Sequence, residues 1–218
     1  MKVLKQILRI IFAGIGFVFS IEFFLFIIKC LNWIFGIIYS SWIKGQIKQV
    51  EGSLSIKFPI KVLNGKNIYI GKNFIAGNRL RLETINHFAN KQFYPKLVFG
   101  NNVLINDDCH ITCIKSIIIG NNVLLASKVF ITDHSHGKIN HKDLNISPMQ
   151  RELFSKGDVI IEDNVWIGEG VCIMPNVYIG KNSIIGANSV VTKSFPEYSI
   201  IAGNPAKLIR TVSEEIAI

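Results

Sequence analysis

Residues 161–191 read IEDNVWIGEGVCIMPNVYIGKNSIIGANSVV, and every sixth residue from Ile161 is aliphatic: Ile161, Ile167, Ile173, Ile179, Ile185 and Val191. Four residues after each stand Val165, Val171, Val177, Ser183, Ser189 and Phe195, and Gly168, Gly180 and Gly186 directly follow a repeat position. A period of six fits neither the 3.6-residue turn of an amphipathic helix nor the alternation of a sandwich strand. The same frame runs upstream through Ile70, Ala76, Leu82, then Phe99, Ile105, Ile111, then Ile119, Leu125, Ile131, making fifteen apolar positions in groups of three. Three hexads per turn describe a chain coiling around a triangular core with one inward residue per face. No turn buries its apolar residues alone, so stacking supplies the core. The expected fold is all-β, a parallel β-helix of hexapeptide repeats with about five rungs, roughly 24 Å tall at about 4.8 Å per rung. The corners GNNV (100–103), GNNV (120–123) and EDNV (162–165) suit tight turns, because Asn and Gly tolerate left-handed backbone geometry.

The frame breaks at residues 83–96, 112–118 and 133–158, and a break in a solenoid is where a loop leaves it. The long one, 133–158, is expected to project, and loops on a rigid scaffold tend to carry function. At its root lies ITDHSHGK (131–138), two histidines one residue apart after an aspartate. Three readings of His134 and His136 compete. As core residues they would sit past the inward Ile131, in a polar stretch. As zinc ligands they would need His110 or His141 to converge with them, and the repeat does not enforce that convergence. As a general base, an imidazole with an ordinary pKa near 6.5 can take a proton from an attacking hydroxyl and pass it to a leaving group. Ser135 points to the opposite side of an extended strand from its neighbours, which disfavours a covalent serine intermediate. Direct transfer without a metal is the simpler chemistry.

The chain has 218 residues, 49% hydrophobic and only 18% charged, room for one domain with an appendage. The apolar residues concentrate in IIFAGIGFVFSIEFFLFII (10–28), whose only charge is Glu22, and LNWIFGIIYSSWI (31–43). The first run, nineteen residues, just suffices to cross a bilayer, which takes roughly 20; the second is too short, so spanning and re-entrant arrangements stay open. Six basic residues against Glu22 give residues 1–50 a charge of +5, more than half of the net +9. Positive charge beside an apolar segment favours an anionic membrane surface over nucleic acid. No small-residue cleavage site follows, which argues against a cleaved signal peptide. Residues 1–50 thus read as a membrane-associated segment, 51–66 as a lead-in, 67–198 as the β-helix and 199–218 as a C-terminal strand and short helix begun at the proline of AGNPAKLIR (202–210). Cys30, Cys109, Cys113 and Cys172 form no Cys-x-x-Cys pair and read as free thiols in a reducing compartment.

The run VWIGEGVCIMPNVYIGKNSIIGANSVVTKSFPEYSIIAGNPAKLIR (165–210) resembles the left-handed β-helical acyltransferases, in particular the maltose, galactoside and nodulation-factor O-acetyltransferases. TDHSHG (132–137) is similar to the histidine motif of bacterial polysaccharide and O-antigen O-acetyltransferases. The resemblance implies a left-handed β-helix, an exception to right-handed crossovers, a homotrimer with active sites between neighbouring prisms, and acetyl transfer from acetyl-coenzyme A to a hydroxyl. It implies His136 as the catalytic base, sixteen residues after Gly120, with His134 as a helper or as the base if the register slips. Asp133 then orients a histidine or caps the loop, and Asn106, thirty residues before His136, binds the acceptor. For acetyl-coenzyme A it implies Trp166 beside the thioester, Glu169 and Ala187 offering backbone groups to the pantetheine arm, and Gly186 keeping that strand open. Backbone donors there would also hold the oxyanion. Thr192, Lys193, Lys207 and Arg210 would meet the phosphate-bearing nucleotide end.

The sequence therefore leads us to expect an acetyl-coenzyme A-dependent O-acetyltransferase that needs no metal and binds no nucleic acid. Its acceptor would be a sugar hydroxyl of a membrane- or lipid-linked glycan of O-antigen, capsule or exopolysaccharide type, and its place the cytoplasmic face of a bacterial inner membrane. The rivals are an N-acetyltransferase of an amino sugar and a carbonic-anhydrase-like or non-catalytic prism.

Overall fold

The computed structural model describes residues 2–213, the side chains of residues 18 and 19 excepted. The chain divides into two compact units, one ending at Tyr39 and one beginning at Ser40. The first belongs to a single α-helix, Lys2–Gln46, so the two apolar runs are continuous. At 1.5 Å per residue its 45 residues extend over about 68 Å. Phe12, Phe17, Phe24, Phe26 and Trp33 are all exposed on it, the pattern of a helix apolar all round. By length and composition it is able to cross a membrane.

The second unit is a three-faced parallel β-helix. Its first face stacks Gln49–Val50, Ile68–Ile70, Lys96–Phe99, Ser116–Ile119, Val159–Ile161 and Tyr178–Ile179. The second stacks Leu54–Ile56, Phe74–Ala76, Leu104–Ile105, Leu124–Leu125, Trp166–Ile167, Ile184–Ile185 and Ser199–Gly203; the third stacks Lys61–Leu63, Arg81–Thr84, His110–Cys113, Phe130–Thr132, Cys172–Ile173 and Val190–Val191. All fifteen hexad positions named from the sequence point inward and are at most 2% exposed. The corner asparagines Asn73, Asn102, Asn122, Asn164 and Asn182 have φ between 55° and 58°, and their side-chain amides bond in a ladder with steps of 2.9–3.1 Å. Left-handed corners of this kind are why Asn recurs there.

Two expectations are corrected. Residues 51–66 are not a lead-in, because Leu54–Ile56 and Lys61–Leu63 pair in register with the strands above them and complete a sixth coil, one more than the five expected. Ile56 is 4% exposed, and Val50, Ile56 and Val62 keep the spacing of six, so the period itself extends into this coil; the frame then skips two residues between Val62 and Ile70. The last turn of the helix closes this end: Ile43 and Ile47 are buried, and the Ser40 hydroxyl accepts a hydrogen bond from the Ile56 amide at 3.0 Å. At the other end the expected short helix is a strand. Ala206–Thr211 turns back at Asn204-Pro205 and pairs antiparallel with Ser199–Gly203, covering a sheet edge that would otherwise offer unpaired backbone groups. Residues 214–218, where that helix was expected to end, lie outside the described residues.

Candidate active site

The break at 112–118 is no projecting loop. Ile111 and Ile119 are eight residues apart where the hexad would give six, and the two extra residues widen a corner between the third and first faces. Asp133, next coil up, fills it. Its carboxylate is fully buried and accepts hydrogen bonds from the amides of Ile114 (2.9 Å), Lys115 (2.7 Å) and Ser116 (2.9 Å) and from the Cys113 thiol (3.3 Å). Burial pushes the Asp133 pKa up, but the bonds from His134, from these amides and from the thiol outweigh it and hold it below the ordinary aspartate range. The same desolvation and the neighbouring carboxylate push the Cys113 thiol up, so it stays protonated and donating.

His134 Nδ1 lies 2.9 Å from Asp133 Oδ1, and the imidazole side chain is 8% exposed. An ionised carboxylate only accepts, so Nδ1 carries the proton and Nε2 presents its lone pair. The Thr132 hydroxyl, 3.2 Å from the His134 amide and donating to its carbonyl at 3.1 Å, fixes the backbone at the same point. A base oriented by a third group is the arrangement that activates a hydroxyl.

His136 is placed differently. Ser135–His136 pairs antiparallel with Leu153–Phe154, so the 133–158 segment leaves the prism and returns as an arm carrying a short helix, His141–Leu144. Arg151 ties the arm together by donating to the carbonyls of Leu144 and Ile146. The break at 83–96 forms a hairpin, His87–Phe88 against Lys91–Gln92, whose Phe88 meets the exposed His136 ring edge-on at a centroid distance of 5.4 Å. His136 lines a cleft of about 520 Å³ with Lys138, Arg151, Lys156, Met174 and Thr192. Sequence reading missed Phe88, Arg151, Lys156 and the amides of residues 114–116; of these, the two-residue excess in the hexad spacing was the legible signal. Among the described residues no three His, Cys, Asp or Glu side chains group to hold a metal ion.

The remaining candidates divide between corners. Thr192 lines the cleft with His136 at the corner between the third and first faces. Asn106, Glu169, Gly186 and Ala187 lie at the corner between the second and third faces, with Trp166 on the adjoining second face. Asn106, Ala187, Lys193, Lys207 and Arg210 are exposed, as is Trp166 at 51%. Glu169 is exposed and pairs with Lys128 at 2.9 Å. The Gly186 amide donates to Ile201 O at 2.8 Å, so it serves the sheet ladder and is not available as an oxyanion donor. One prism therefore does not bring Asn106 to the histidines.

Residues 158–193 match the family described as bacterial transferase hexapeptide (six repeats). The chain is 43% identical over 164 residues to the putative lipopolysaccharide biosynthesis O-acetyl transferase WbbJ of Escherichia coli K12, covering 73% of this chain and 80% of the relative. It superposes on a maltose O-acetyltransferase from Clostridium difficile 630 with a TM-score of 0.52 at 29% identity, covering 78% and 73% of the two chains. A hexapeptide-repeat acetyltransferase from Vibrio cholerae, determined with acetyl-coenzyme A, has the same fold, with a TM-score of 0.55 at 23% identity over 78% and 74% of the chains. With its hexad core, its histidine-bearing arm and these relatives, the chain belongs to the hexapeptide-repeat acyltransferases.

Proposed function

We propose that this protein transfers acetyl from acetyl-coenzyme A to a sugar hydroxyl of a membrane- or lipid-linked glycan of the O-antigen, capsule or exopolysaccharide type. The observation that carries the reading is the Asp133–His134 pair, next in the chain to Ser135 and His136, which line the cleft. His134 Nε2 takes the proton of the acceptor hydroxyl as its oxygen attacks the thioester carbonyl; the tetrahedral oxyanion collapses, and the coenzyme thiolate leaves with the proton that His134 returns. This gives His134 the role that the family resemblance favoured for His136. His136, exposed in the cleft and braced by Phe88, contacts substrate instead.

The match to the hexapeptide transferases supports a left-handed prism, and two further features support its acting as a homotrimer. The outward column of the second face is apolar over successive coils, Ile75, Leu104, Leu124, Trp166, Ile184 and Ile200 in register, and Ile118 and Tyr178 stand outward on the first. Such stripes suit a second copy of the chain. The separation of Asn106 and Trp166 from the histidines is what a site shared by two prisms requires. The apolar helix favours the cytoplasmic face of a bacterial inner membrane, where acetyl-coenzyme A is available to the prism.

The test is thiol release from acetyl-coenzyme A by detergent-solubilised protein with a pool of lipid-linked saccharides. Expected is acceptor-dependent release giving a base-labile ester, reduced about 10²–10⁴-fold in His134→Ala and less in His136→Ala. If His136→Ala is the inactive variant, the base assignment fails and the transferase stands. A base-stable amide product supports the amino-sugar rival, and no release with any acceptor overturns the reading.

A further inference from the structure

The positive charge of the prism is concentrated at one end, with a smaller net +2 in residues 192–213 from Lys193, Lys207 and Arg210 against Glu197. Residues 40–95 hold nine Lys and Arg against Glu51 and Glu83, a net +7, whereas residues 96–191 hold eight against nine acids, a net −1. Within the first coil and the helical turn beneath it, Lys44, Lys48, Lys57, Lys61 and Lys66 are all exposed. They are not on one side. Lys48 enters the first face, Lys57 follows the second-face strand Leu54–Ile56, Lys61 opens the third-face strand Lys61–Leu63, and Lys66 lies at the corner leading back to the first face. Together they ring the end of the triangle. Glu51 is the one acid in that coil, and it accepts a hydrogen bond from Gln49. Phe58 and Trp42, 58% and 62% exposed, add aromatic surface at the same end, the residue type that collects at bilayer interfaces.

We propose that this lysine collar seats the end of the prism on anionic lipid headgroups. It rests on the membrane reading of the preceding subsection and goes beyond it, since it assigns a lipid contact to the folded domain itself and not only to the apolar helix. Each lysine is attracted to an anionic surface within a Debye length of about 10 Å at 0.1 M salt. The collar surrounds the first coil, and His134 leaves the fourth. Three steps at about 4.8 Å put the base about 14 Å above the headgroups. The acceptor hydroxyl then belongs to a sugar close to the lipid end of its carrier.

The experiment is amine-reactive footprinting, read by mass spectrometry, of the full chain reconstituted in nanodiscs of phosphatidylcholine alone or mixed with phosphatidylglycerol. Expected is a several-fold slower modification of Lys48, Lys57 and Lys66 in the anionic discs, reversed by high salt, with Lys128 and Lys181 unchanged. Equal rates in both discs, with the protein disc-bound, overturn the collar alone; protein that enters neither disc overturns the membrane reading with it. The variant Lys48→Gln/Lys57→Gln/Lys66→Gln supplies the second measurement. It should lose the lipid-charge dependence of modification at Lys44 while binding discs, and an unchanged dependence counts against the collar.

Discussion

The Asp133 carboxylate holds the His134 imidazole at 2.9 Å while resting on three consecutive backbone amides, so the orientation of the histidine is set by the wall of the prism and not by the projecting arm. The amides fix the carboxylate, and the carboxylate fixes the tautomer. Consequences follow for chemistry and for stability.

Asp133→Asn should separate the two. An amide cannot accept from all these donors, and its own N–H groups meet the amides of residues 114–116. Leaving buried donors unpaired costs about 1–3 kcal/mol, a fall of several degrees in Tm for a chain of this size. In folded variant protein the wrong histidine tautomer should lower kcat about 10²–10⁴-fold, with KM for acetyl-coenzyme A little changed. Steady-state kinetics beside calorimetry checks both, and unaltered kcat would remove Asp133 from the mechanism.

On the third face Glu83 accepts from Lys61 (2.8 Å), Arg81 (3.1 Å) and His110 (3.0 Å). Burial raises its pKa, but the three donors outweigh burial and bring it down to about 2 from 4.5. A folded pKa below the unfolded one means stability that is present above pH 4.5 and lost as pH falls toward 2. Glu83→Gln should therefore be less stable than wild type at neutral pH, and the gap should close through that window. Urea midpoints across pH measure it, and a constant gap would contradict the assignment.

Glycines following the repeat positions should not be equivalent. A Cβ on Gly168 would sit 2.6 Å from the Ala187 amide nitrogen and 2.8 Å from Ile185 O, both backbone, whereas on Gly186 the nearest atom is the Ala202 methyl at 3.1 Å. Gly168→Ala should cost about 1–3 kcal/mol, or roughly 2–12 °C in Tm, and Gly186→Ala much less. Equal melting temperatures for the two variants would show that the coils slide apart freely.

If the second-face stripe meets a second copy, Leu124→Lys combined with Ile184→Lys places two charges in an apolar contact. The trimer should dissociate to monomer, seen by analytical ultracentrifugation in detergent, with acetyl transfer lost and the melting of the prism largely kept. A variant that stays trimeric would move the contact to another face.

The hexad made the core legible because its cause is local: one inward residue per face repeats wherever the chain coils regularly, and all fifteen assigned positions are buried. It failed where regularity ended. The first coil carries the same period in Val50, Ile56 and Val62, but eight residues separate Val62 from Ile70, and that two-residue excess parted it from the frame that begins at Ile70. The final strand was misread because the proline of 202–210 marks a hairpin corner as readily as a helix start, and only the unpaired edge of Ser199–Gly203 decides between them.

The histidines show the same division. The residue types singled out 133–136 as chemically active, since an acid and two imidazoles stand together at the root of a polar break. The family resemblance ranked His136 by counting residues from Gly120, and counting ignores the two extra residues between Ile111 and Ile119 one coil below. Those residues turn three amides toward Asp133 from 17 to 19 positions earlier in the chain, and only stacking brings them together. The sequence by itself determined the coil, its inward residues and the segment that carries the chemistry, because each follows from local period and composition. Which histidine is held by a buried carboxylate, and how the charged lysines encircle one end, was decided by tertiary structure, because both depend on residues from different coils meeting across the stack.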